Sequence, residues 1–157
     1  MTSRMEIKQD GDRLVLTGSI DEAAELLTLL DRARDGRLVL DLAGITFINS
    51  LGVRDWIRMQ IQAQKAGTAI ELHRVSEPII HQLNMIVATR GKSHVASFFA
   101  PYACDACGRE ESLLVDAEAH HDALVRLEAP TMKCPECAAQ MAFNDFPERY
   151  FSFLSNG

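Results

Sequence analysis

The stretch Leu38-Val39-Leu40-Asp41-Leu42, followed by Ile45-Thr46-Phe47-Ile48-Asn49-Ser50-Leu51-Gly52-Val53, decides how the first two thirds of the chain are read. Leu38 to Leu40 is a continuous apolar run, short enough to be a strand buried on both faces. The segment Ala43 to Ile48 leads out of it, and a helix starts near Asn49-Ser50, two residue types favoured at helix entry. Val53, Trp56, Ile57, Gln60 and Ile61 then recur with helical spacing, Arg54, Asp55, Arg58, Gln62 and Lys65 make the wet face, and Gly67 closes the helix.

Upstream, Met5, Ile7 and Leu14-Val15-Leu16 flank the turn Asp10-Gly11-Asp12, a hairpin signal. Ser19-Ile20-Asp21-Glu22 has the capping-box form and predicts a helix carrying Ala23, Leu26, Leu27, Leu30 and Ala33, with Gly36 as its C-terminal cap. Downstream, Ala69 to Leu72 predicts a strand. Ser76 and Pro78 open a third helix with Ile79, Leu83 and Ile86 as its buried stripe, Thr89 to Lys92 turns, and Val95 to Phe99 predicts a last strand. The order β-β-α-β-α-β-α-β implies an α/β module, a mixed or largely parallel sheet with helices packed on it.

The 157 residues carry 16 basic and 22 acidic side chains, a net charge of −6. Residues 1–99 hold 12 of each sign, whereas residues 100–157 hold 4 basic and 10 acidic, so the excess belongs to the second part. All four cysteines lie there, with Tyr102, Phe143, Phe146, Tyr150, Phe151 and Phe153, which sets a boundary near Ala100-Pro101: modules 1–99 and 100–157. The acidic second module argues against nucleic acid as a partner, because phosphate binding rests on a basic surface. No apolar run approaches the roughly 20 residues that cross a bilayer, and Met1 to Asp12 lacks a signal-peptide apolar core, so a soluble cytoplasmic protein is expected.

Cys104-Asp-Ala-Cys107 and Cys134-Pro-Glu-Cys137 are two C-x2-C pairs that use every cysteine present. Each pair places two thiolates on one metal through a tight turn, and together they make the four-cysteine set that structural Zn²⁺ prefers. The segment looks like a zinc ribbon with an extended finger, its strands expected at Leu113 to Val115 and Leu124 to Leu127 around a turn at Glu118 to Asp122. Rubredoxin-like iron is the weaker reading, since Ala138 stands where such proteins usually carry Gly. Redox disulfides and a catalytic zinc rank lower, because neither pair opens a helix and four thiolates leave no open coordination position. His120 and His121 read as a solvated turn.

The decisive stretch also carries a resemblance. The apolar strand ending in Asp41-Leu42, the aromatic Phe47, and Asn49-Ser50-Leu51-Gly52 opening a helix resemble the signature of the STAS domain, a family that includes bacterial anti-sigma-factor antagonists and the cytoplasmic tails of sulfate transporters. The resemblance covers residues 4–99. It implies a partner-switching role in signal transduction, in which the serine matching Ser50 is phosphorylated by a kinase that is also the anti-sigma factor, and the unphosphorylated form binds that kinase. It also implies a partner-binding surface of Asn49, Ser50, Leu51, Gly52 and Arg54, bordered by Asp21 and Glu22. The bland role of Ser50 is an N-cap, and that of Asp21 and Glu22 is to complement a helix dipole. Asn49 stands where the family usually has Asp, and Leu51 where Ser or Thr is common. Both departures weaken the switch, and the Asn49 departure together with the appended ribbon favours the rival expectation, a phosphorylation-independent scaffold or assembly adaptor. Thr46 is a lesser phosphoacceptor. With no nucleophile–base pair and no phosphate-cradling glycine loop, an enzyme is not expected.

Overall fold

The computed structural model describes residues 4–154. Two strands open the chain, β1 (Glu6–Asp10) and β2 (Arg13–Ile20), paired antiparallel with Asp10 opposite Arg13 across a two-residue turn. There follow β3 (Arg37–Ile48), α1 (Ser50–Ala66), β4 (Ala69–His73), α2 (Glu77–Met85) and β5 (His94–Val95). The five strands form one sheet in the order β1-β2-β3-β4-β5, with β2, β3, β4 and β5 mutually parallel. Each parallel crossover steps in the same direction, so right-handed connections place α1 and α2 on one face of the sheet. That face is leucine: Leu14, Leu16, Leu38, Leu40, Leu42 and Leu72 are each at most 2% exposed. On the other face Asp41 is nevertheless buried, lying 3.7 Å from Arg13 and 3.3 Å from Arg74.

Several sequence expectations need correction. Residues 19 and 20 extend β2 rather than opening a helix, and the apolar run after them is a 3-10 helix, Leu26–Arg32. Leu26 and Leu29 are its buried residues, a spacing of three that suits the tighter helix, and Leu27 is exposed. Gly36 does not cap a helix. Asp35 (φ 52°) and Gly36 (φ 74°) form a two-residue turn in which Arg34 and Arg37 exchange backbone hydrogen bonds of 2.9 Å. Two consecutive positive φ angles are what a type I′ turn needs, and Asp-Gly provides them.

The apolar run from Leu38 continues through Ile48 as a single strand of 12 residues. The buried face of α1 is Val53, Trp56, Met59, Gln60 and Ala63, while Ile57 is half-buried and Ile61 is exposed. The helix is turned this way by polar contacts: Trp56 Nε1 donates to the Thr89 carbonyl at 2.7 Å, and Gln60 Nε2 donates to Ser93 Oγ at 2.7 Å. In α2 the buried side chains are Ile79, Ile80 and Leu83, and Ile86, beyond the helix end, is exposed. Ser76 is the N-cap by position, but its buried hydroxyl has no hydrogen-bond partner.

The rest of the chain builds a second sheet. Strand β6 (Ser97–Ala103) pairs antiparallel with β7 (Glu110–Asp116) on one side and with β9 (Gln140–Phe143) on the other, and β9 pairs with β8 (Met132–Lys133). The expected strand at Leu124 to Leu127 is absent: His121–Val125 is a short helix, α3, and Leu127 is left-handed at φ 62°. Asp116 starts this departure by accepting the backbone N–H groups of Glu118 and Ala119, both at 3.0 Å, and Leu124 is buried. The expected last strand of the first module is divided: Val95 ends β5, and Ser97 to Phe99 begin β6, so the position between residues 99 and 100 lies inside a strand.

The two sheets share one core. Val75 bonds both ways with β6, its N–H to the Ser97 carbonyl at 3.1 Å and its carbonyl to the Phe99 N–H at 2.8 Å. Phe98 packs against Phe153, Phe151 and Tyr150 with ring centroids 5.1, 6.0 and 6.4 Å apart, and Phe143 stacks on Phe151 at 4.9 Å. These residues come from β6, β9, a last helical turn, α4 (Pro147–Tyr150), and the 3-10 turn Ser152–Leu154. Asn84 of α2 fastens that end, its amide donating to the Tyr150 carbonyl at 2.9 Å and its Oδ1 accepting from the Phe153 N–H at 2.8 Å. Aromatic pairs of this kind add roughly 0.5–1.5 kcal/mol each beyond the area they bury.

Candidate functional site

Two separate clusters of chemistry stand on this frame. The first is the start of α1. Asn49, in extended conformation, is the N-cap, and its Oδ1 accepts the Gly52 N–H at 2.8 Å. Ser50 is therefore not the cap but the first helical residue. It is exposed, and its hydroxyl makes no hydrogen bond with the described residues. The Asn49 amide also donates to Glu22 Oε2 at 3.1 Å, and this bond, ahead of others from the Glu22 backbone and the Arg54 charge, holds the Glu22 carboxyl below its ordinary range. Asp21 complements no helix dipole, because no α-helix starts there. Its carboxylate accepts the Ala23 N–H at 2.9 Å and closes a local turn.

Gly52 is needed for contact. A Cβ there would lie 2.8 Å from the Ile20 carbonyl carbon and closer still to its oxygen, because the end of β2 runs directly against the first turn of α1. The same approach lets the Asn49 N–H donate to the Ile20 carbonyl at 3.1 Å. Strand end and helix start are thus pinned together, with Ile48 packed partly against the core. Phe47 is 44% exposed and Leu51 40% exposed, flanking Ser50. Arg54, four residues after Ser50 and so on the same helix face, is exposed beside Asp55 at 3.2 Å. An open groove of about 400 Å³ continues from Thr46, Phe47 and Ile48 onto Glu77, His81 and Met85 of α2. Sequence reasoning misses Phe47 and Met85 as surface residues. The available signal is their place at element ends, where a strand or helix face loses its cover.

The second cluster is the four cysteines. Cys104 and Cys107 sit in the turn between β6 and β7, and Cys134 and Cys137 in the turn between β8 and β9. All four Sγ atoms lie within 4.8 Å of one another, with Cys104–Cys137 at 3.5 Å and Cys107–Cys134 at 3.6 Å. Tetrahedral coordination with metal–sulfur bonds of about 2.3 Å needs sulfur spacings of about 3.8 Å, so the set fits one metal ion. The two turns are built alike. Cys104 N–H donates to the Arg109 carbonyl at 2.8 Å and Cys134 N–H to the Ala139 carbonyl at 2.7 Å. The N–H groups of Gly108 and Ala138 return to the carbonyls of Cys104 and Cys134 at 2.8 and 2.9 Å. Gly108 (φ 76°) and Ala138 (φ 61°) share the left-handed conformation, so the alanine leaves the turn geometry unchanged.

Backbone amides face the sulfurs. The N–H of Cys137, then that of Glu136, stabilise the Cys134 thiolate and outweigh its desolvation, with the neighbouring thiols adding to the shift, and its pKa is lowered to about 7. Cys107 and Cys137 move the other way: the backbone N–H groups of Arg109 and Ala139 lower them, but contacts with the neighbouring sulfurs and desolvation raise them by more, so a metal ion must displace protons from the cluster to bind. His120 and His121 do not join the four-cysteine group. His73 lies between Glu71, at 2.7 Å, and Arg13, at 3.3 Å, while His94 pairs with Glu118 at 2.8 Å.

Among the described residues no helix is long and apolar enough to cross a membrane. A search of curated proteins finds no match to the chain. A family model described as "Mlab, STAS domain" matches residues 3–100, which include the whole five-stranded sheet, α1 and α2. The chain therefore belongs to the STAS domain family, which includes anti-sigma-factor antagonists and whose domains act through protein–protein contacts.

Proposed function

We propose that the protein is a non-enzymatic regulator in a partner-switching pathway, resembling an anti-sigma-factor antagonist, whose α1 entry loop docks a protein partner and releases it when Ser50 is phosphorylated. One observation carries this reading: Asn49 does the capping, so the exposed Ser50 hydroxyl is available for modification without loss of the cap. A phosphate there adds about −1.5 to −2 charge at a helix N-terminus, where unpaired amides and the dipole tolerate it. Arg54, one turn on, is placed to pair with it. The same charge beside Phe47 and Leu51 opposes any partner seated on those apolar side chains. The fold is kept and the surface is changed.

A phosphorylation-independent adaptor is the second reading. It is favoured by Asn49, whose amide is engaged with Glu22, and by the apolar Leu51. Incubation with a serine kinase of the anti-sigma-factor type, followed by mass spectrometry of the peptide containing Ser50, separates the two. Phosphate on Ser50 is expected, and an unmodified Ser50 together with unchanged partner binding by Ser50→Asp rejects the switch.

We assign Cys104, Cys107, Cys134 and Cys137 to a structural zinc ion. The all-thiolate set without an open position supports zinc in a structural role, and iron is the alternative. Metal analysis of the purified protein distinguishes them: one zinc per chain and no visible colour is expected, and a red protein would mean iron.

A further inference from the structure

Strand β1 is an edge of the five-stranded sheet, and among the described residues no strand pairs with its outer side. The turn fixes which of its backbone groups face outward. With only Gly11 and Asp12 between them, Asp10 and Arg13 exchange backbone hydrogen bonds directly. In an antiparallel pair, such residues alternate with residues whose groups point away from the partner. Asp10, Lys8 and Glu6 are therefore bonded to β2. The N–H and C=O groups of Gln9 and Ile7, and of Met5 one alternation earlier, face away from the sheet.

The side chains divide by face. Ile7 lies opposite the fully buried Leu16, and Ile7 and Met5 pack partly against the core. On the other face Glu6, Lys8 and Asp10 are exposed, as is Arg4 one alternation earlier. None of these four makes an ion pair among the described residues. Along the strand their signs run plus, minus, plus, minus, so an antiparallel copy can meet every charge with its opposite.

We infer that β1 is the interface of a homodimer, in which two copies meet edge to edge about a two-fold axis at Ile7 and join their sheets, five strands from each copy, into one. In this register Glu6 faces Lys8 of the second copy and Arg4 faces its Asp10, each pair occurring twice. Ile7 faces Ile7, and Met5 faces Gln9, which are the residues whose backbone groups point outward. The charged pairs fall at the positions between those bonds, where opposite Cα atoms approach to about 4.5 Å. Other registers fail. A slip of two residues one way sets Lys8 against Lys8 and Glu6 against Asp10. A slip of two the other way sets Glu6 against Glu6 and Arg4 against Lys8. A slip of one sets outward-facing groups against inward-facing ones. Charges on an exposed edge ordinarily keep other strands off, and here they leave one register open.

The test is sedimentation equilibrium of the metal-replete full chain from about 1 to 300 μM, a range that reads micromolar association. A reversible monomer–dimer equilibrium is expected. Lys8→Glu and Glu6→Lys, both at exposed positions, are each expected to weaken it by roughly tenfold, because each turns two attractive pairs into repulsive ones. The double variant Glu6→Lys/Lys8→Glu is expected to regain the dimer, and an equimolar mixture of the two single variants to form a heterodimer. Gln9→Pro is expected to weaken the dimer as well: it removes an outward N–H that the fold of one copy does not use. Circular dichroism checks that each variant folds. A monomer throughout the range, a dimer indifferent to both charge reversals, or no recovery in either the double variant or the mixture overturns the inference.

Discussion

The α1 entry loop and the cysteine cluster reach order by opposite routes. The loop is finished without a ligand: Asn49 satisfies the Gly52 amide, Ile20 touches Gly52, and what remains outside is a hydroxyl between two apolar side chains. The cysteine turns hold their own backbone bonds but bring four sulfurs within 4.8 Å, a crowding that a metal ion converts from repulsion of thiolates into bonding. On the proposed reading, the loop meets a partner that leaves again, and the cysteine cluster keeps the ion it binds. The aromatic core around Phe98 and Tyr150 joins the two sheets that carry them, and how far a failure in one reaches the other can be measured.

The largest expected effect is loss of the metal. Cys104→Ser or Cys134→Ser, at the two buried ligands, is predicted to remove the ion and melt the turns first, because structural zinc supplies about 10–16 kcal/mol of apparent binding free energy in small modules. Limited proteolysis should cut within residues 104–140 while the five-stranded sheet stays protected; uniform cutting of both sheets would mean that the two sites are one cooperative unit. Next comes Tyr150→Ala, predicted to cost about 3–5 kcal/mol by opening the shared core and orphaning the Phe99 carbonyl, which now accepts the Tyr150 hydroxyl at 2.6 Å. Denaturant unfolding checks it, and a loss below about 1 kcal/mol would show that the C-terminal turn is merely laid on the surface.

Within the loop, Gly52→Ala is predicted to destabilise by about 1–3 kcal/mol through collision with the Ile20 backbone, read from the same unfolding curves. Asn49→Ala is predicted to cost about 1 kcal/mol of cap and to let the Glu22 carboxyl titrate at higher pH, seen by NMR. The sign follows from the lowered folded pKa: the stabilisation is present above the unfolded value and is lost as pH falls through the folded one. Ala138→Gly has the smallest effect, a gain of up to about 1 kcal/mol, since it relieves a left-handed alanine without touching a sulfur.

Reading from sequence reaches some of this and not the rest, for identifiable reasons. The strand at Leu38, the helix after Asn49 and the four-cysteine set are legible because apolar periodicity and ligand spacing are local signals. The 3-10 helix Leu26–Arg32 reads as an α-helix because spacings of three and four coexist in its leucines, and only burial of Leu26 and Leu29 decides between them. The Asp35-Gly36 turn reads as a helix cap only on the premise of that preceding helix. The rotation of α1 that exposes Ile61 depends on Thr89 and Ser93, about thirty residues away, which no local pattern reveals. At the site, Ser50 is legible but takes in the sequence the cap role that Asn49 fills in the fold, and the exposure of Phe47 and Met85 is a tertiary fact.

The claim that the α1 entry loop is a docking face switched at Ser50 is tested most directly by site-specific photo-crosslinking in the cell of origin. A photoreactive phenylalanine analogue placed at Leu51 is expected to trap a discrete protein adduct that persists with Ser50→Ala and disappears with Ser50→Asp. The same probe at Ile61 is expected to trap none. An adduct at Leu51 that is indifferent to Ser50→Asp would contradict the switch, and one found only at Ile61 would contradict the docking face itself.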